Sequence, residues 1–591
     1  MSNIERFVLL SVAVIIGIVG CSKLPSPARP GPAVDAIPAQ QASTGQQLEL
    51  DLTHYVDNPS EQSLTWVVTN GPGSIDNGLY TGVFNEVGAG HVSFRVSDSQ
   101  GNSAEGEFMV AALYGYMAIV QSGNGLEVLD GGSAAVLPLQ SGASVPLVYR
   151  ELLPDGSLLY ERMGGSSVDL FRYDHQEIVQ IGESNGLNTV YDNHTPDGKV
   201  FFEQGTSSET GLYLWDPSSQ TAQLVASRPG MHNRNAFVHP PNVAYFEYGN
   251  NGQADLHYWE IGNNHTATAY SSPYPESIHA ILPDGGIVFS TTGAGGQEEL
   301  RYLRMGYGVF TVGGDLPPVV QEQDMRFVTT TSQGLVVFET GAASRDVWMW
   351  SSGGLTTKAV ASTGSDERFV AITEDDLVVY SVAKAPGNHD LKIYNYSTEE
   401  SADVAVGPEN EVFELALTDS DVVFAVESVN GRSLHRFDAS SNTVDVIAES
   451  AGDSYAVVAA LTTDRLVYTG SGAAGGLFTW DPASGESVFV GGPNATYAGQ
   501  AHDGGFVMHV MQAGQADLAL WDRVTGQVMT IAQTQQSEHF EAAFANGAVI
   551  FSAVVPPKTT SDLFQWRAGV TTRLTDGSSS HSVVRVLRGD V

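Results

Sequence analysis

Leu212-Tyr213-Leu214-Trp215-Asp216 is the stretch that decides the fold: a leucine, an aromatic three residues on, then a polar turn. The phrase recurs eleven times, led by Leu126, Leu170, Leu212, Leu256, Leu300, Val347, Leu391, Leu434, Leu477, Leu518 and Leu563. Successive copies lie 44, 42, 44, 44, 47, 44, 43, 43, 41 and 45 residues apart. A period of roughly 40–45 residues carrying four short strands is the signature of a β-propeller blade.

The residues around each copy supply those strands. An entry strand leads into a tight turn, as at Pro154-Asp155-Gly156, Pro196-Asp197-Gly198, Pro283-Asp284-Gly285, Asp503-Gly504 and Asn546-Gly547; Asp-Gly and Asn-Gly favour hairpin turns. An apolar second strand follows and usually ends in an aromatic, as in Val200-Phe201-Phe202 or Val336-Val337-Phe338. A loop rich in Gly, Ser and Ala leads to the signature third strand, and a fourth such as Gln223-Leu224-Val225 closes the unit.

Residues three apart on a strand face opposite sides of the sheet. Yet the leading leucine and the residue three on are both bulky and apolar, with Trp at 215, 259, 350, 480, 521 and 566. Both faces must therefore be buried, as when blades stack on neighbours. Six of the eight tryptophans hold this one place, which makes their role packing.

The array also predicts its own closure. The first unit (Tyr116–Gln121, Leu126–Asp130, Ala135–Leu139) lacks an entry strand, and His581–Gly589 reads as an entry strand with nothing after it. Joining them completes a blade and removes exposed edges. The expectation is an all-β protein with about eleven four-stranded repeats over residues 114–591, in a single ring rather than two smaller ones.

Composition agrees with that class. Only 16% of residues are charged and 64 of 591 are Gly, which suits many tight turns. The net charge of −40 repels phosphate backbones and argues against nucleic acid as a partner. One cysteine, Cys21, excludes an internal disulfide and a cysteine-based zinc cluster.

Ahead of the repeats the chain has three segments. In residues 1–20, Arg6 precedes the apolar run Phe7 to Gly20. Fourteen helical residues reach about 21 Å, short of a ~30 Å hydrocarbon core, so the run reads as a secretory signal. Residues 21–38 carry Pro25, Pro27, Pro30, Pro32 and Pro38, an extended stalk. Residues 39–113 hold strand-like runs at Leu48–Leu52, Leu64–Thr69, Leu79–Phe84, His91–Val96 and Glu105–Ala112, separated by turns at Gly71-Pro72-Gly73 and Asp98-Ser99-Gln100-Gly101-Asn102. They predict a small β-sandwich.

Three resemblances attach to these residues. Ile18-Val19-Gly20-Cys21 resembles the bacterial lipobox, which implies lipidation of Cys21, and Ser22 after it implies sorting to the outer membrane in a Gram-negative cell. Leu50-Asp51-Leu52-Thr53-His54-Tyr55-Val56 and Phe94-Arg95-Val96-Ser97-Asp98-Ser99-Gln100-Gly101 resemble bacterial cadherin-like or immunoglobulin-like modules, without the Asp-x-Asn-Asp-Asn calcium motif. Pro-Asp-Gly before three apolar residues, then Asp-Leu-x-x-(Trp/Tyr)-Asp, resembles TolB-type WD40-like repeats. The Trp-Ser that precedes Pro-Asp-Gly there is missing here, so TolB's envelope partnerships do not carry over.

No motif assigns chemistry. Gly182-Glu183-Ser184-Asn185-Gly186 matches Gly-x-Ser-x-Gly but falls between two blades with no helical pattern after it. Walker-type loops, His-Glu-x-x-His and the sialidase Asp-box are absent, so no metal or cofactor is implied. Polar residues at or before the entry strands are candidate ligand contacts at one mouth of the channel: His232, Arg234, Asn235, His279, Arg326, Arg368, Glu538, His539 and His581. The expected function is a lipid-anchored, non-enzymatic binding or scaffold protein of the bacterial envelope recognising protein or glycan; the alternative is a propeller-type polysaccharide lyase or hydrolase.

Overall fold

A computed structural model describes residues 31–588 except 36, 39, 44–46, 59–62, 85–87, 114–116, 140–144, 166, 175–176, 184–185, 207–208, 230–233, 240–242, 251–252, 261–264, 294, 343 and 577–578. Residues 1–20, expected to be a secretory signal, Cys21 and the centre of the Gly-x-Ser-x-Gly string therefore lie outside the described residues. Among those described, no helix is long and apolar enough to cross a membrane.

The segment before the repeats contributes a four-stranded sheet containing Gln40–Ser43, Ser103–Leu113, Gly88–Ser97 and Thr65–Asn70, and a three-stranded sheet of Gln47–Asp51, Leu79–Val83 and Ser74–Asp76. Tyr80 on the second sheet meets Phe108 on the first edge-on, ring centroids 5.2 Å apart. Asp98 organises the 98–102 turn by accepting from the Gln100 and Asn102 amides at 2.8 and 2.9 Å. Asp98 thus serves the hairpin turn that its sequence predicts.

The repeats form eleven four-stranded antiparallel sheets. Ten are continuous in sequence. Their entry strands are Leu147–Leu152, Asn188–His194, Arg234–His239, Ser277–Ile281 and Met325–Thr330 in blades 2 to 6. Glu367–Ile372, Asn410–Ala416, Tyr455–Ala460, Ala495–Gln500 and Glu538–Ala543 begin blades 7 to 11. Blade 1 takes its entry strand from the other end of the chain: His581–Arg588 pairs with Met117–Ser122, Val583 opposite Val120. The predicted closure is present.

One ring follows from the packing. Leu212 joins Phe246 and Trp259 of blade 4, whereas Trp215 joins Leu159 and Leu170 of blade 2. The same division of labour repeats around the array, so each blade shares an apolar layer with the next. Blade 11 shares one with blade 1 through Ile550, Leu563, Val120 and Leu129. Burying each such side chain contributes about 1.5–3 kcal/mol. The longest repeat spacing, between Leu300 and Val347, contains a single extra helical turn at Pro318–Gln321.

Candidate functional site

Every entry strand of blades 2 to 11 carries a β-bulge. The bulge kinks the strand and leaves one residue unpaired with the second strand. In blade 7 Phe369 and Ala371 are paired and Val370 is the extra residue. This fixes what each neighbouring position faces. The residue two before the last paired aromatic or aliphatic is buried: Glu367, Glu411 and Glu538 in blades 7, 8 and 11, and Glu276 at the start of blade 5. The next residue, at Ser277, Arg326, Arg368, His539 and Ser582, is exposed.

The four buried glutamates share a partner. Each lies near the aspartate that immediately precedes the leading residue of the previous blade's third strand. The pairs are Glu276 with Asp255, Glu367 with Asp346, Glu411 with Asp390, and Glu538 with Asp517. Burial raises each glutamate above the usual carboxylate range, and the neighbouring aspartate adds to it. Glu276 and Glu411 reach about 7. Glu538 accepts from the Thr534 amide at 3.0 Å, which partly offsets the rise. Ser272 and the Thr291 hydroxyl lie close enough to Glu276 to offset part of that rise; the two hydroxyls are 3.3 Å from one another. Asp390 has an ion-pair partner in Lys384, at 2.7 Å.

A second set of acids ties the bulges down. Glu161, Glu247 and Glu339 stand opposite the leading residue on second strands. Their Oε1 atoms accept the bulge amides of the next blade: Tyr191 at 3.0 Å, Ile278 at 2.8 Å and Phe369 at 3.0 Å. Glu541 does the same for Val583 at 3.0 Å, across the closing seam. Arg345 also donates to Glu339 at 3.0 Å. These residues escaped the sequence reading, although their signal, an aromatic followed by Glu at the end of the second strand, is visible at Tyr160-Glu161, Phe246-Glu247 and Phe338-Glu339.

The predicted mouth residues separate into several environments. His232 lies outside the described residues, and Arg234 and Asn235 are described only as backbone of the blade 4 entry strand. His279 is the bulged residue of blade 5; its ring stacks on Phe327 of blade 6 at 4.9 Å, and burial lowers its pKa. Arg326 and Arg368 occupy the same exposed position in adjacent blades, and Arg368 pairs with Asp366 at 2.7 Å. His539 holds that position in blade 11, while Glu538 beside it is buried in the seam. His581 closes the ring, its Nε2 2.9 Å from the Ser122 hydroxyl.

Arg326 borders a cavity of about 520 Å³ between blades 5 and 6. Glu276, Thr291, Glu298, Asp324, Glu339 and Arg345 are among its other polar lining residues. Such a chamber suits a polar ligand with hydroxyl or charged groups. Among the described residues no three His, Cys, Asp or Glu side chains are grouped to hold a metal ion.

No family model and no curated protein matches the sequence. Solved structures do match. TolB from Acinetobacter baumannii is similar at 13% identity over 57% of this chain and 78% of that one, TM-score 0.24. An oligogalacturonate lyase from Vibrio parahaemolyticus matches at 12% identity over 55% of this chain and 99% of that one, TM-score 0.28. A prolyl endopeptidase matches at 12% identity over 57% of this chain, TM-score 0.30, and the chain spans 55% of its length.

Proposed function

We infer that the chain is a lipid-anchored, non-enzymatic binding or scaffold protein of the bacterial envelope, which recognises protein or glycan through the loops at the entry-strand mouth. In this reading Cys21 carries the anchor, the Pro-rich run after it is the stalk as far as Ala33–Val34, which pair with Val56–Asp57, and an immunoglobulin- or cadherin-like module precedes the ring. The observation that carries it is the distribution of the mouth. Its exposed positions recur at the same place in separate blades, as at Ser277, Arg326, Arg368, His539 and Ser582, so they spread along the rim. The perturbed acids beneath them serve separate seams between blades. A broad rim of single contacts suits recognition of a large partner.

The alternative, a polysaccharide lyase or hydrolase, has one observation in its favour: Glu276, with a pKa of about 7, borders the cavity beside Arg326. Affinity capture from detergent-solubilised envelope by the full chain, with and without Arg326→Glu and Arg368→Glu together, separates the two. The binding reading expects a partner retained by the parent and lost by the double variant. Depolymerisation of an envelope polysaccharide that Glu276→Gln abolishes would replace it with the enzymatic one.

A further inference from the structure

On the face opposite this mouth, the turn joining first and second strands lies beside the same turn of the next blade, and side chains lace the turns together. Ser332 donates its amide and hydroxyl to Asp376 at 2.8 and 2.6 Å. The Ser420 hydroxyl donates to Asp375 at 2.9 Å. The Thr418 amide donates to Asp464 at 3.0 Å, and Gln500 donates to the Thr462 hydroxyl at 2.6 Å. These bonds cover the seams from blade 6 to blade 10 without a break.

The lace stops at the next seam, between blades 10 and 11. Asp376, Ser420 and Asp464 hold the third turn position, at φ of 60°, 65° and 57°. In blades 10 and 11 that position is glycine, Gly504 at φ 72° and Gly547 at φ 82°; Gln500 bridges the blade 9–10 seam in its place. His502 of blade 10 comes within 3.8 Å of where a Gly547 Cβ would stand. Asn546 turns the other way, donating to the Gly131 carbonyl of blade 1 at 3.4 Å. Among the described residues no side-chain bond joins the two turns.

A cavity of about 430 Å³ opens there. Leu520, Met529 and Trp566 give it an apolar wall, and Arg523 and Arg567 line it as well. Asp503 and Asp522 line it too: the Asp503 carboxylate lies 2.5 Å from the His502 imidazole, and Asp522 accepts from the Thr525 amide at 2.8 Å. Neither arginine forms an ion pair among the described residues, in a chain with 67 acidic and 27 basic side chains. Asp503 and Asp522 balance the two arginines in charge, but two guanidinium groups outside any ion pair, beside an apolar wall, offer free donors to an anion with an apolar body. The planar guanidinium fork fits a carboxylate in particular, and the volume lies in the range of small-molecule pockets.

We propose that the seam between blades 10 and 11 binds an apolar monocarboxylate, its body against Trp566, Leu520 and Met529 and its carboxylate at Arg523 and Arg567. The same chemistry is carried by a free aromatic or aliphatic acid and by the free C-terminus of a peptide ending in an apolar residue.

Calorimetric titration of the full chain with 1-naphthylacetate, 1-naphthylmethylamine and the peptide Gly-Gly-Gly-Phe, free or amidated at its C-terminus, tests this. Naphthylacetate binds and the amine does not. Arg523→Gln and Arg567→Gln each weaken binding about tenfold, the worth of one charge-assisted hydrogen bond. Gly547→Asp, copying blades 7 and 9, places a side chain opposite His502 and abolishes binding, while a cooperative melt shows that the ring is still folded. Binding of the free-acid peptide, but not its amide, identifies a peptide C-terminus; binding of naphthylacetate without either peptide identifies a free acid. Equal affinity for acid and amine, no binding of any probe, or an acid affinity indifferent to both arginine changes and to Gly547→Asp overturns the proposal.

Discussion

Leu518 and Trp521 sit three residues apart on one strand and belong to different seams: Leu518 packs with Val549 and Trp566 of blade 11, and Trp521 with Val467 and Leu477 of blade 9. A ring built this way distributes its stability over pairwise interfaces between neighbours. Leu518→Ala should cost about 2–5 kcal/mol through lost burial and the void left behind. Amide hydrogen exchange should show the loss concentrated in blades 10 and 11, whereas Trp521→Leu should loosen blades 9 and 10. Identical exchange maps for the two variants would contradict the division of labour between the strand's two faces.

The carboxyl pairs make stability depend on pH in a definite direction. Glu411 is buried, faces Asp390, Glu409 and Lys384, and titrates at about 7 when folded against 4.5 in its ordinary state. Between those values the folded chain holds a proton that the unfolded chain has released, so stability falls as pH rises from about 4.5 to 7. The difference for one such site is at most ~3 kcal/mol. Glu411→Gln should flatten part of that slope and raise the melting temperature at pH 8 relative to the parent. An unchanged pH profile would show that Glu411 is ionised in the folded ring.

Glu339 holds two groups at once, the Phe369 amide and the Arg345 guanidinium. Removing it leaves a bulge donor without an acceptor in a buried seam, which costs about 1–3 kcal/mol, and strips Arg345 of its counterion. Glu339→Ala should therefore destabilise more than Glu339→Gln, which keeps a carbonyl for the amide. Chemical denaturation of the two variants measures the difference, and equal losses would assign the whole effect to the ion pair.

The ring was legible in the sequence because one strand performs one task eleven times, and a leucine and an aromatic three apart can both be buried only between stacked sheets. The closing strand was legible for a related reason: the unit at Leu126 lacked what His581–Gly589 could supply. The acid pairs were not. Asp255 and Glu276, Asp346 and Glu367, Asp390 and Glu411, and Asp517 and Glu538 are each 21 residues apart. That spacing is a signal, but each member alone reads as one solvated acid among 67. Only the register across the seam brings them together. The mouth residues fared unevenly because a bulge reverses which face a side chain takes: His279, one residue past Ile278, stacks between blades, while Arg326 and Arg368 remain exposed.

The closure itself is open to a direct test. His581–Arg588 completes blade 1 and places Val583 and Val586 against the apolar layer shared by blades 11 and 1. It also supplies the amide that Glu541 accepts and the imidazole bonded to Ser122. A chain ending at residue 580 leaves the strand Met117–Ser122 as an unpaired apolar edge and Glu541 without its donor. Exposed edges of this kind pair with other chains. The truncated chain should melt at a lower temperature and self-associate in sedimentation, and a synthetic peptide spanning 578–591 should reverse both effects by occupying the vacant entry position. A truncated chain that stays monomeric and melts with the parent would mean that the ten continuous blades hold their ring without the terminal strand.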